Sequence, residues 1–175
     1  RETSPSRVLR TGMVGLNIML DGGFQSSRVY LLMAQAAGGK SFTLLDLALQ
    51  LKMHNKNYVA KDPTKIPTIV ILTMENSEDE NVSRMLGMIS QGKTFNDCSF
   101  EDSIKTFRSN GLGYSKEDPI DIVMIYKSNL SINTDYLYVM VDKLREIGRE
   151  PICLIQDHIK RIRPTNKRND MRLDL

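Results

Sequence analysis

Eight consecutive residues, Ala34-Gln35-Ala36-Ala37-Gly38-Gly39-Lys40-Ser41, match the phosphate-binding pattern G-x-x-x-x-G-K-[ST] at every fixed position but the first, where alanine replaces glycine. Gly38 and Gly39 let backbone N–H groups turn inward around a β-phosphate. Lys40 supplies a cation for the β and γ oxygens, and the Ser41 hydroxyl is a ligand for Mg²⁺ at a helix N-terminus, which favours anions. The expected ligand is ATP with Mg²⁺. A bare Gly-Lys-Ser arises by chance in roughly one chain in ten of this size, so the weight lies in what flanks it. An apolar run, Val29-Tyr30-Leu31-Leu32-Met33, precedes it and a helical pattern follows, which is the context such a loop requires.

Phosphoryl transfer asks for two further groups. One is a carboxylate at the end of a buried strand, which holds the magnesium through water, and Asp157 after Ile152-Cys153-Leu154-Ile155-Gln156 answers that need. Parallel strands also end in Asp for capping reasons alone, so Asp157 counts only beside Lys40 and Ser41. The other is a group that orients the attacking water. Glu75, directly after Ile69-Val70-Ile71-Leu72-Thr73, is placed by sequence at the same C-terminal sheet edge, where ligands of open α/β sheets bind; the bland alternative is a solvated turn carboxylate. Between Lys160 and Arg172, six basic residues are opposed only by Asp170, a pattern that is most often a solvated face. His54 and His158 have no ligand-like neighbours in sequence, and Gly111-Leu112-Gly113-Tyr114 lacks the preceding strand of a dinucleotide fingerprint.

The elements that must position these groups follow from periodicity. Val29–Met33, Ile66–Thr73, Ile120–Tyr126 and Pro151–Ile155 are short runs apolar throughout, which predicts strands of a parallel sheet covered on both faces. Between them, Ser41–Met53 reads as a covered helix. A capping box of Ser77 and Glu80 opens a second helix whose Val82, Met85, Leu86 and Ile89 fall at i, i+3, i+4 and i+7. Thr134–Ile147 is a third helix, with Leu137, Met140, Val141 and Leu144 on one face and Gly148 as its stop. Gln91–Lys116 is either a long connection or holds a short helix near Ser103–Arg108. The fold class is α/β, a doubly wound, mostly parallel sheet with helices on both faces.

The 175 residues suit one domain, with residues 1–27 as a lead-in and 28–175 as the nucleotide-binding core, and 41% hydrophobic content can build it without disulfide or metal staples. Cys98 and Cys153 share no metal-like spacing, and Cys153 sits in an apolar run as a buried, inert thiol would. That favours a reducing, cytoplasmic setting. Nothing approaches the length of an apolar membrane span. A net charge of +3 is too small to announce a nucleic-acid partner by itself, and a start at Arg1 without an initiating Met suggests a piece of something longer.

Taken together, A-x-x-x-G-G-K-S after a strand, Thr73-Met74-Glu75-Asn76 closing a second strand, Arg84-Met85-Leu86 in a capped helix, and Ile155-Gln156-Asp157-His158-Ile159 closing a third resemble the RecA-like motor domain of DnaB-type replicative helicases, phage members in particular. Asp21-Gly22-Gly23-Phe24 and Thr11-Gly12 to Leu20 resemble the same family's lead-in, and the resemblance spans about residues 8 to 175. Thr73-Met74-Glu75 resembles its S-x-E, which implies a catalytic Glu75. The resemblance further implies that Lys160, Arg161, Arg163, Lys167 and Arg168 track single-stranded DNA phosphates, and that the whole protein is a homo-oligomer, a hexameric ring, which works with replication proteins such as primase. The compartment would be the bacterial host cytoplasm if a phage encodes it. Two departures stand out: Ala34 replaces the first loop glycine, and His158-Ile159-Lys160 replaces the family's Tyr-Leu-Gln. In the resembling family the γ-phosphate sensor and arginine finger lie beyond the position of Leu175, which predicts that this chain alone binds ATP and hardly hydrolyses it. A RecA- or RadA-like recombinase and a non-hydrolysing ATP-binding scaffold are the alternatives. The Thr-Met-Glu triplet argues against the first, and the intact Lys40, Ser41, Glu75 and Asp157 argue against the second.

Overall fold

The computed structural model describes residues 8–35, 38–89, 102, 105, 119–127, 132–157 and 162. In chain order the elements are β1 (Val8–Leu9), α1 (Val14–Met19), β2 (Phe24–Gln25), α2 (Lys40–His54), β3 (Ile66–Thr73), α3 (Glu78–Ile89), β4 (Asp121–Tyr126), α4 (Thr134–Glu146) and β5 (Arg149–Gln156). β3 lies in the centre of a parallel sheet of order β4-β3-β5, while β1 and β2 form a separate antiparallel pair. Leu72 stands opposite both Ile125 and Gln156, so all three strands end at one edge. The ladder between β3 and β5 slips by one residue at Thr68/Ile69, beside Pro151, which has no N–H to give to it.

β3 is apolar throughout because both of its faces are covered. Ile69 and Ile71 enter a cluster with Leu45, Ala48 and Leu49 of α2 and Met85 of α3; Val70 on the other face meets Met140 and Leu144 of α4. Burying each such side chain contributes roughly 1.5–3 kcal/mol, which is what fixes α2 and α3 on one side and α4 on the other. The three helices run within a residue or so of their expected bounds. Ser77 Oγ accepts from the Glu80 N–H at 3.2 Å, as one half of a capping box does, although the Glu80 carboxylate turns to Arg84 instead of reaching back. Asn133 caps α4 by accepting from the Tyr136 N–H at 2.9 Å, and the chain leaves the helix at Gly148, whose carbonyl accepts from Ile66 N–H at the start of β3. The fold is α/β and RecA-like.

One expected strand does not form. Residues 28–35 join no sheet among the described residues, with Val29 89% and Met33 82% exposed. The apolar run predicts a buried strand, but a strand also needs a partner edge, and the described residues give this segment none. What holds it is Tyr30, whose ring lies 4.6 Å from that of Phe24 and whose hydroxyl accepts from the Gln25 N–H. The lead-in is docked on the far end of α2: the Asn55 side chain accepts from Arg10 N–H at 2.9 Å and donates to Arg10 O at 2.8 Å, as a neighbouring strand would. The expected alternatives for Gln91–Lys116 fall outside the described residues apart from Asp102 and Lys105, both helical. No helix among the described residues is long and apolar enough to cross a membrane.

Candidate functional site

The loop before α2 is shaped by its glycines. Gly38 N–H donates to Gln35 O at 3.0 Å, so tightly that a Cβ at Gly38 would meet that oxygen at 2.9 Å. Gly39 is the N-cap residue at φ +75°, a left-handed conformation open to glycine, and the space its Cβ would take is empty. No side chain caps the helix, and its first internal bond runs from Thr43 N–H to Gly39 O. The amides ahead of Thr43 therefore have no acceptor within the helix, as an anion-binding N-terminus requires. Ala34 and Gln35 are exposed at the loop's start, and Ala36 and Ala37 lie outside the described residues.

Around this terminus the fold gathers three of the expected groups, although 116 residues separate Ser41 from Asp157. The Ser41 hydroxyl donates to Asp157 Oδ2, and Lys40 Nζ stands 3.5 Å from Asp157 Oδ1. Asp157 is only 7% exposed, and its N–H bonds to Leu72 O at 3.3 Å, which carries the β5 ladder one residue past the strand. A carboxylate so buried needs a cation and donors beside it, and here it has both. A hydroxyl beside a carboxylate is also the hard-oxygen donor set that suits Mg²⁺, which takes few protein ligands and fills its sphere with water and phosphate. Among the described residues no three His, Cys, Asp or Glu side chains cluster as they would in an all-protein metal cage.

Glu75 emerges at the same edge, three residues beyond Leu72, exposed on the turn between β3 and α3. The turn around it is fastened from several sides. Lys127 N–H bonds Thr73 O at 3.0 Å, Met74 is buried with Leu72 and Ile132, and Asn81 of α3 donates to Thr73 Oγ1 at 3.2 Å. Arg84 pairs with Glu80, and the Asn76 amide, with its oxygen toward Arg84 Nη1 at 2.9 Å, bridges the two. Asn81 and Lys52 are residues that sequence reasoning did not single out. Lys52, 1% exposed on α2, donates to Ile120 O just ahead of β4. A signal existed for both: Lys52 falls at i+7 from Leu45 and Asn81 at i−4 from Met85, polar residues on the apolar stripe of their helices.

The basic residues Lys160, Arg161, Arg163, Lys167 and Arg168, together with His158, lie outside the described residues. Within that stretch Ile162 is described, and it packs on the cluster of Leu72, Met74 and Ile132. Cys153, expected as a buried thiol, is half-buried against the core cluster, and desolvation there pushes its pKa up to about 11.

No curated protein matches this chain. The family model of the divergent DnaB-like ATPases matches residues 1–172. With a RecA-like sheet, a glycine loop opening α2, and Asp157 brought onto Ser41 and Lys40, the chain belongs to the divergent DnaB-like ATPase family.

Proposed function

We infer that this ATPase domain binds and hydrolyses ATP with Mg²⁺ and drives a replicative DNA helicase along single-stranded DNA. The observation that carries the reading is the contact of Ser41 and Lys40 with the buried Asp157, at the sheet edge that also bears Glu75. Ser41 and Asp157 would hold Mg²⁺, Asp157 through water, and the ion would supply charge neutralisation at the phosphate oxygens. The first amides of α2 hold the phosphates, Lys40 neutralises the β and γ oxygens, and Glu75 orients the attacking water and takes its proton. The basic residues from Lys160 to Arg168 track the DNA backbone, and identical subunits assemble as a ring around the strand, in the cytoplasm and with primase as a candidate partner.

The test is Glu75→Gln in the full-length protein that carries this domain. Nucleotide affinity should stay within about twofold, and turnover in the presence of single-stranded DNA should fall by roughly a hundredfold or more. Normal turnover would move the base elsewhere. A second reading, nucleotide binding without hydrolysis, draws on Ala34 at the first loop position; tight ATP binding by the parent with no turnover on single-stranded DNA would select it.

A further inference from the structure

We propose that Asn81 and the Thr73 hydroxyl are positioning residues that hold Glu75 toward the attacking water, a reading that rests on the role given to Glu75 above. Glu75 is the exposed residue of a four-residue turn, Thr73-Met74-Glu75-Asn76, whose two ends are tied by side chains. Thr73 Oγ1 donates to Asn76 O at 3.1 Å. Asn81 Nδ2 then donates both to Thr73 Oγ1 at 3.2 Å and to Asn76 O at 3.4 Å, closing a triangle across the turn that carries Glu75. The Thr73 hydroxyl thus gives its one proton to Asn76 O and accepts from Asn81.

This triangle is inside the protein: Asn81 is 3% exposed, and Thr73 is buried as well. Each member would be costly to leave unpaired there, so the turn has one favoured closure and not a family of them. The backbone on either side is pinned independently, by Lys127 N–H on Thr73 O and by the burial of Met74. Glu75 is therefore a solvent-facing carboxylate carried on a backbone that three elements, β3, β4 and α3, hold in place. A group that orients water needs this combination, access to solvent with a fixed base, because a displacement of about 1 Å costs on the order of a hundredfold in rate. It also gives a physical reason for a hydroxyl two residues ahead of the glutamate: valine at position 73 has the same shape and could close neither bond.

The experiment uses the full-length protein that carries this domain, with single-stranded DNA, and compares Asn81→Ala, Thr73→Val, Thr73→Ser, Glu75→Gln and the double variant Glu75→Gln/Asn81→Ala. Three quantities are read: affinity for ATP, turnover at saturating ATP, and amide hydrogen exchange over residues 74–76. We expect Asn81→Ala and Thr73→Val to lose about tenfold or more in turnover with KM and affinity within about twofold, and to exchange faster over 74–76. Thr73→Ser should restore both rate and protection. The double variant should be no slower than Glu75→Gln alone, since a residue that acts through Glu75 has nothing left to act on. A further, multiplicative loss in the double variant would overturn the proposal, as would parental turnover in Thr73→Val despite faster exchange. Should Asn81→Ala fail to fold, the Thr73→Val and Thr73→Ser pair decides alone. Normal turnover in Glu75→Gln would instead remove the role of Glu75 and this proposal with it, a result distinguishable from failure of the positioning step alone.

Discussion

Lys40 has two partners to serve, and the structure shows it with one of them, the buried carboxylate of Asp157 at 3.5 Å. Lys40→Ala removes a cation from the phosphate site and leaves Asp157 with less compensation for its burial, so both binding and local order should suffer. Charge-assisted contacts of this kind contribute on the order of 2 to 4 kcal/mol, so triphosphate affinity should drop by more than tenfold in a titration with a fluorescent ATP analogue. Unchanged affinity would remove Lys40 from the site. Cys153 gives a second residue-scale expectation. Desolvation pushes its thiol pKa up to about 11, so at pH 8 the thiolate is scarce and the residue should react with a thiol reagent well below the rate of an ordinary exposed thiol. Cys98→Ser supplies the background for that measurement, since the chain has two cysteines. The sign of the alkaline effect also follows: above about pH 9 the unfolded thiol loses its proton while the native one keeps it, so stability should fall as pH rises toward about 11 and Cys153→Val should lessen that fall.

At the scale of elements, α2 links the candidate site to the rest of the fold, and its buried lysine is the least expected part of that link. Lys52 fills a core position with its methylene stem and spends its ammonium on the Ile120 carbonyl. Lys52→Met keeps the stem and removes the ammonium together with its bond to the Ile120 carbonyl, so its loss relative to the parent reads the polar contacts alone, about 1–3 kcal/mol. Lys52→Ala also opens a cavity, for which about 2–5 kcal/mol is the usual loss. Urea denaturation of both variants separates stem from charge, and an equal loss in the two would show that the ammonium dominates. The sequence foretold β3 to the residue, because a strand buried on both faces has to be apolar from end to end. It set Asp157 and Ser41 at one sheet edge because loop and strand signals both point there, and in the fold the two side chains meet. Val29–Met33 misled for the complementary reason: apolar side chains record a need for burial and say nothing about which edge will supply it. Asn81 shows in the sequence only as a polar residue on an apolar stripe, and its role is hidden for a third reason. Its partners, Thr73 and Asn76, lie across a turn whose closure depends on three-dimensional placement and not on any repeat in the chain.

On the scale of the whole molecule, charge distribution matters more than total charge. A net +3 spread evenly would give a weak field and a shallow response to salt, whereas Lys160, Arg161, Arg163, Lys167 and Arg168 concentrate cations in nine residues. Within that stretch the described residue Ile162 packs on the cluster of Leu72, Met74 and Ile132. If those cations meet DNA phosphates, each contact releases counterions, and the logarithm of affinity for single strands falls with the logarithm of salt by about 0.7 per phosphate. Arg161→Ala with Arg163→Ala should then weaken binding to a single-stranded oligonucleotide and flatten the slope by about 1.4, with little dependence on base sequence. The fitting control is Lys56→Ala with Lys61→Ala. Both lysines are exposed at the opposite end of the sheet, after α2 and before β3, and their loss lowers the net charge by the same two units. Were binding a matter of the overall field, the two double variants would shift the slope alike. A local track on the DNA predicts that only the arginine pair shifts it, and a slope equal to the parent's in the arginine pair would return the segment to an ordinary solvated face.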